Sequence, residues 1–190
     1  MSTTNNDVAK NFVLQTGTHI HNQTHSLSYR DNILFSYSTA LARVDTDRRT
    51  VLLSDTNMTQ TTSKHRLEVV SSAIDNDYKV LPIPLERGTS NFPTDEQIVQ
   101  RFETRMDYLT RGTELALSDN RREFLNSYEN YKEFLKYANI TSEKRKKYDE
   151  INENLNNTEF IKELQTKRRK FQRELTPYKK AEILSEMDIN

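Results

Sequence analysis

Thr61, Thr62, Ser63, Lys64 and His65 stand consecutively, the one place in the chain where small hydroxyls, a lysine and a histidine crowd together. Hydroxyls at a helix start accept first-turn backbone N–H groups, a cap contribution of about 1 kcal/mol. The same helix start carries the positive dipole end, so with Lys64 and His65 it is also a candidate site for a phosphate or carboxylate. Both alternatives stand on these residues. A Ser63–His65 nucleophilic pair does not, because residues two apart on a helix point about 200° apart. His19, His21 and His25 are three further nitrogen donors, and His19 and His21 would share one face of a strand. Structural metal sites pair their ligands more tightly than this, so no metal is expected. The acid pairs Asp45/Asp47 and Asp75/Asp77 fall where turns and helix ends use carboxylates locally. Nothing around them would separate two pKa values, which paired catalytic acids require. No catalytic residue is assigned.

The second group of candidates is basic and aromatic. Lys144, Arg145, Lys146 and Lys147 form one run, and Lys167, Arg168, Arg169, Lys170 and Arg173 form another. Residues 143–180 hold 12 basic and 7 acidic side chains, a net of +5, whereas residues 94–135 hold 6 basic and 9 acidic, a net of −3. A helical region polarised in this way suits a nucleic-acid backbone or an acidic groove on a protein. Charge runs on helices also serve as solvated faces laced with i,i+4 pairs such as Glu163–Lys167. Tyr128, Tyr131, Phe134 and Tyr137 exceed what one helical stripe buries. They either pack against a further helix or form a partner-facing patch.

Composition removes several classes. The 190 residues suit one ordinary domain or a small domain with a helical appendage. With 34% apolar and 29% charged residues the core must be thin for the length. Basic and acidic residues balance at 28 each, so any nucleic-acid or membrane affinity must come from a local patch. There are no cysteines, hence no disulfide, zinc-thiolate site or thiol nucleophile. Gly17, Gly88 and Gly112 are too scattered to build a phosphate-cradling loop. No cofactor is expected. The opening residues lack a basic segment followed by an apolar run, and no stretch approaches 18 consecutive apolar residues. The expected location is cytoplasmic, with no membrane partner.

The elements that must position these residues follow from periodicity. Residues 1–28, rich in Ser, Thr, Asn and Gln, are expected to form a loose arm or an edge element. From Ile33 a period of two runs through Phe35, Tyr37, Ala40, Ala42 and Val44, turns at Asp45–Arg49 and returns at Val51–Leu53, an antiparallel hairpin or meander. A helix beginning near Thr62 or Ser63 should bury Leu67, Val70 and Ile74. Tyr78–Leu85 is a further strand that Pro82 and Pro84 confine to an edge. The fold class is α+β, with a small antiparallel sheet and one helix over residues 29–90, then a helical region of four to five helices over 91–190, a bundle or hairpin array. Thr94 and Gln97 form a capping box ahead of Ile98, Phe102, Met106 and Leu109. Phe124, Tyr128, Tyr131, Leu135 and Ala138 make a 4-3-4-3 stripe that allows a homodimer as readily as an internal contact. Tyr148, Ile151 and Leu155 make a third stripe, and Phe160, Leu164, Phe171 and Leu175 a fourth. Thr176–Pro177 should restart the chain as a last short helix carrying Ala181, Leu184 and Met187.

Ser36, Tyr37, Ser38, Thr39 and Ala42, followed by Thr61, Thr62, Ser63, Lys64 and His65, resemble a small domain of unknown function found in phage and mobile-element proteins. The resemblance covers about residues 33–67. Leu41 and the segment Leu52–Gln60 depart from its usual pattern. It implies a small β-rich unit preceding one helix and brings no catalytic residues. The function expected is therefore non-enzymatic: a phage or mobile-element protein, in the host cytoplasm, that binds and inhibits a host protein or ribonucleoprotein in the manner of an anti-CRISPR or other anti-defence inhibitor. The alternative is nucleic-acid binding through the basic helices.

Overall fold

The structure, a computed structural model, describes residues 3–56 and 59–187, with side chains as far as 173. It is mixed α/β, with a six-stranded sheet and six helices among the described residues. The chain divides into two units: Met1–Phe102 with Asn130–Thr141, and Glu103–Glu129 with Ser142–Asn190.

The first unit opens on α1, Asn5–Leu14, where a loose arm or edge element is expected. Thr4 caps it: its hydroxyl accepts from the Asp7 N–H at 3.2 Å, and the Asp7 carboxylate accepts from the Thr4 N–H at 2.9 Å. The Thr4 N–H and, at 2.7 Å, the Thr4 hydroxyl both donate to the Asp7 carboxylate and hold it below the usual carboxylate range. Val8, Ala9, Phe12 and Val13 recur at helical spacing and are all buried, which is why this polar-looking segment folds onto the core. Strands β1 (His19–His21), β2 (Leu27–Arg30), β3 (Ile33–Ser36), β4 (Thr39–Asp45) and β5 (Thr50–Ser54) form an antiparallel meander in sequence order. The run expected as one strand from Ile33 is broken at Tyr37, whose φ of 56° turns the chain between β3 and β4.

The last strand, β6 (Lys79–Ile83), lies at the sheet edge and pairs with β5 in parallel. The sheet is thus mixed, because α2 (Gln60–Asp75) crosses over between β5 and β6. One sheet face packs Leu27, Tyr29, Leu34, Val51 and Leu53 against Phe12 of α1 and Val69 and Ala73 of α2. On the other, Thr50 and Leu81 share a cleft of about 280 Å³ with Glu133 and Tyr137. Lys79 pairs with Glu133, and the Tyr137 hydroxyl donates to Asp45 at 2.9 Å. Phe102 meets Tyr131 and Phe134 with ring centroids 6.0 Å apart in each case.

Of the expected inner face of α2 only Val70 packs on the core, and it is half-buried. Leu67 and Ile74 are 67% and 64% exposed, and Thr62, His65, Val69, Ser72 and Ala73 are buried instead.

Four helices follow: α3 (Asp95–Leu109), α4 (Ser118–Ala138), α5 (Arg145–Asn154) and α6 (Thr158–Met187), with a 3-10 turn at Glu114–Ala116. The Thr94–Gln97 capping box forms, with both reciprocal bonds made, and Ile98, Phe102, Met106 and Leu109 are all buried. In the second unit Phe124 packs against Tyr128 and Tyr148 at 6.2 and 6.5 Å between centroids. The expected restart at Thr176–Pro177 does not occur, and α6 runs through it unbroken. Ala181, Leu184 and Met187 lie outside the described side chains. Among the described residues no helix is long and apolar enough to cross a membrane.

Candidate functional site

The hydroxyl run begins two residues after the helix cap. The N-cap of α2 is Thr59, whose hydroxyl accepts from the Thr62 N–H at 3.4 Å. Thr61, Ser63 and Lys64 are exposed, whereas Thr62 and His65 are buried. Lys64 and His65 therefore do not converge on an anion in front of the helix. His65 instead turns inward to Ser36 at the end of β3, with 2.8 Å between Nδ1 and the hydroxyl. Ser36 Oγ also lies 3.2 Å from Thr62 Oγ1, which is 3.1 Å from Thr59 Oγ1. A four-member chain of polar groups thus stitches α2 to the β3–β4 corner. Sequence spacing could not reveal a pairing across 29 residues.

Chemically, a serine hydrogen-bonded to a histidine invites comparison with a nucleophile and its base. Ser36 is only 2% exposed and His65 1%, so a substrate carbonyl has no approach to the hydroxyl. Among the described residues no carboxylate bonds His65 to orient it. Burial pushes the His65 imidazole below its usual pKa, which keeps it neutral and bonded. The arrangement does what buried polar networks do, fixing one packing of helix on sheet. At its rim Thr39, Thr59, Thr62, Arg87 and Gly88 line a small cleft of about 130 Å³.

The histidine trio sits on and beside β1. His21 and His25 stack at 3.9 Å between ring centroids, and His19 lies 6.1 Å from His21. Among the described residues no group of three or more His, Cys, Asp or Glu is placed to hold a metal ion.

The basic runs divide into engaged and unengaged members. Asp107 of α3 accepts from Lys144 at 2.9 Å, Lys147 at 2.5 Å and the Tyr148 hydroxyl at 3.0 Å. Burial pushes its carboxyl up, but these three donors outweigh that and hold its pKa at about 2. The bond to Asp107 raises the Lys144 pKa in turn. Arg145 pairs with Asp149, Lys167 with Glu163 and Arg168 with Glu114. Lys146, Arg169, Lys170 and Arg173 are exposed and have no carboxylate partner among the described residues. Most of the Lys144–Lys147 run thus neutralises acids on its own unit.

The tyrosines do not form the partner-facing patch that their number allows. Tyr131 is fully buried and Tyr128 nearly so. Burial, and then a hydrogen bond to Asp149, raises the Tyr128 pKa. Tyr137 belongs to the other unit from Tyr128, where it is bonded to Asp45 and covered by the Arg48 guanidinium 4.9 Å above its ring.

Besides Tyr37 of the first unit, two exposed aromatics lie elsewhere in the second unit. Tyr108, Arg111, Gly112, Thr113 and Glu114 at the end of α3 face Lys167 and Phe171 of α6 across a cleft of about 480 Å³. Tyr108 is 60% exposed and Phe171 55%. Arg111 makes no ion pair among the described residues. Of this set only Lys167 stands among the sequence candidates. Phe171 has the spacing of a core stripe, but its ring is left more than half exposed. Tyr108 carries a legible signal, since it falls outside the buried stripe of Ile98, Phe102, Met106 and Leu109. No protein-family model, curated protein or solved structure matches this chain.

Proposed function

We propose that this protein is a non-enzymatic binding protein that engages a partner protein through the Tyr108–Phe171 cleft of its second unit. The observation that carries this reading is the pair of large aromatics left open on the rim of a 480 Å³ concavity. Aromatic side chains flanking a groove are the usual anchors of protein recognition, and burying one on binding is worth on the order of 2 kcal/mol. Arg111 and Lys167 on the same rim favour a segment that brings an acidic group beside an apolar one. The sealed Ser36–His65 pair supports a role without chemistry. The resemblance of Ser36–Thr39 and Thr61–His65 to the phage and mobile-element domain directs the search for the partner to host defence proteins and ribonucleoproteins. Inhibition of a CRISPR-type complex is the form such an activity would take.

A second reading rests on the same rim. Tyr108 and Phe171 could stack unpaired bases while Arg111, Lys167 and Lys170 meet phosphates. Co-purification from host lysate, run in parallel with and without nuclease treatment, separates the two. The wild-type chain should retain a stoichiometric protein partner at moderate salt, and a Tyr108→Ala, Phe171→Ser double variant should lose it. Retention of nucleic acid that collapses by orders of magnitude with added salt supports the second reading. Equal retention by the double variant, or no partner at all, refutes the cleft as the binding site.

A further inference from the structure

We infer that α2 is a self-association surface whose occupant is the α2 helix of a second copy of this chain, packed antiparallel about a two-fold axis. At 3.6 residues per turn Ser63, Leu67, Val70 and Ile74 fall within about 60° of one another, on a face well away from buried Thr62, His65, Val69 and Ser72. Leu67 and Ile74 are two-thirds exposed, and Val70 is half-buried against the core beneath them. Aliphatic side chains one turn apart along an outer helix make a narrow seam of the kind that pairs with another helix.

Charge complementarity identifies the occupant. Lys64 lies at the start of the helix and Asp75 at its end, on the same flank of the seam, and both are exposed. Neither makes an ion pair within its own chain among the described residues. They are eleven residues apart, about 16 Å along the axis, too far to meet each other. Turning a second helix antiparallel about the midpoint between Val70 and Ser71 sets Leu67 of each copy opposite Ile74 of the other. The same operation sets Lys64 of each copy on the flank of Asp75 of the other, two residues or about 3 Å apart along the axis and within reach of a lysine side chain, because in an antiparallel pair like flanks face one another. Every apolar and charged group then contributes twice, as an isologous contact requires. One helix pair buries less area than a standard interface, so the dimer belongs to the weak, transient class, with Kd between about 10 μM and 1 mM. This inference is independent of the Tyr108–Phe171 cleft, which lies in the other unit.

Sedimentation velocity over a concentration series tests it, with far-UV circular dichroism confirming that each variant is folded. The wild-type chain should dimerise, and Leu67→Glu should weaken Kd by about tenfold or more. Lys64→Asp and Asp75→Lys should each weaken Kd by about three- to tenfold, since each places two like-charge contacts across the seam. The Lys64→Asp, Asp75→Lys double variant should restore wild-type association, a rescue that only contact between copies produces. A wild-type chain that stays monomeric up to about 1 mM overturns the inference. So does a dimer indifferent to Leu67→Glu, or one that the charge exchange fails to rescue.

Discussion

Asp107→Asn tests whether the Lys144–Lys147 run is spent on the protein itself. The Asp107 carboxylate gathers three donors from α5 and its N-cap Lys144, and its side chain is 26% exposed. Its pKa falls from 3.8 to about 2, which corresponds to about 2.4 kcal/mol at 1.36 kcal/mol per pH unit. Partial exposure lets solvent screen the lysines, and about 1–2 kcal/mol of stabilisation remains. Because the folded-state pKa lies below the unfolded one, the unfolded chain binds the proton first as pH falls. The contribution is therefore complete above about pH 4 and disappears as pH approaches about 2. Urea denaturation of both proteins, followed by tyrosine fluorescence since the chain has no tryptophan, should show a difference of about 1–2 kcal/mol near neutral pH that shrinks with acid. Equal stability near neutrality would refute the reasoning, as would a difference that grows on acidification.

Other substitutions probe the remaining elements. Phe102→Ala removes a fully buried ring that packs on Tyr131 and Phe134 and should cost about 3–5 kcal/mol in a denaturant titration. Thr59→Ala should cost about 1 kcal/mol by the same assay, while Ser63→Ala stays within about 0.5 kcal/mol, because Thr59 alone caps α2. His65 is held neutral by burial, so the unfolded chain takes up a proton that the folded chain resists. Stability should fall as pH drops below about 6.5, and a His65→Gln variant, although weaker overall, should lose that part of the pH dependence.

The helices of the second half were legible because their signals are local and redundant. The Thr94–Gln97 capping box and the apolar spacing from Ile98 to Leu109 both specify α3, and both are realised. The start of α1 carried the same kind of signal in Thr4, Asp7 and the Val8–Val13 spacing, but the surrounding polar residues obscured it. The face of α2 was not legible, since its inner side is partly polar. Thr62 and His65 are buried only because Ser36, 29 residues before His65, supplies their partner. A pattern that equates burial with apolarity selects Leu67 and Ile74 instead. The parallel pairing of β6 depends on tertiary context in the same way. Of the candidate binding residues, Lys144 and Lys147 bond to Asp107 and Tyr131 is buried, whereas Phe171, expected only as a stripe residue, is 55% exposed.

Photo-crosslinking from position 171 in the native cell tests the central claim most directly. A benzophenone side chain replacing Phe171, with one at exposed Glu150 of the same unit as control, should yield one defined protein adduct from position 171 alone, and Tyr108→Ala should abolish it. No adduct at 171, or the same adducts from both positions, would contradict recognition through the cleft.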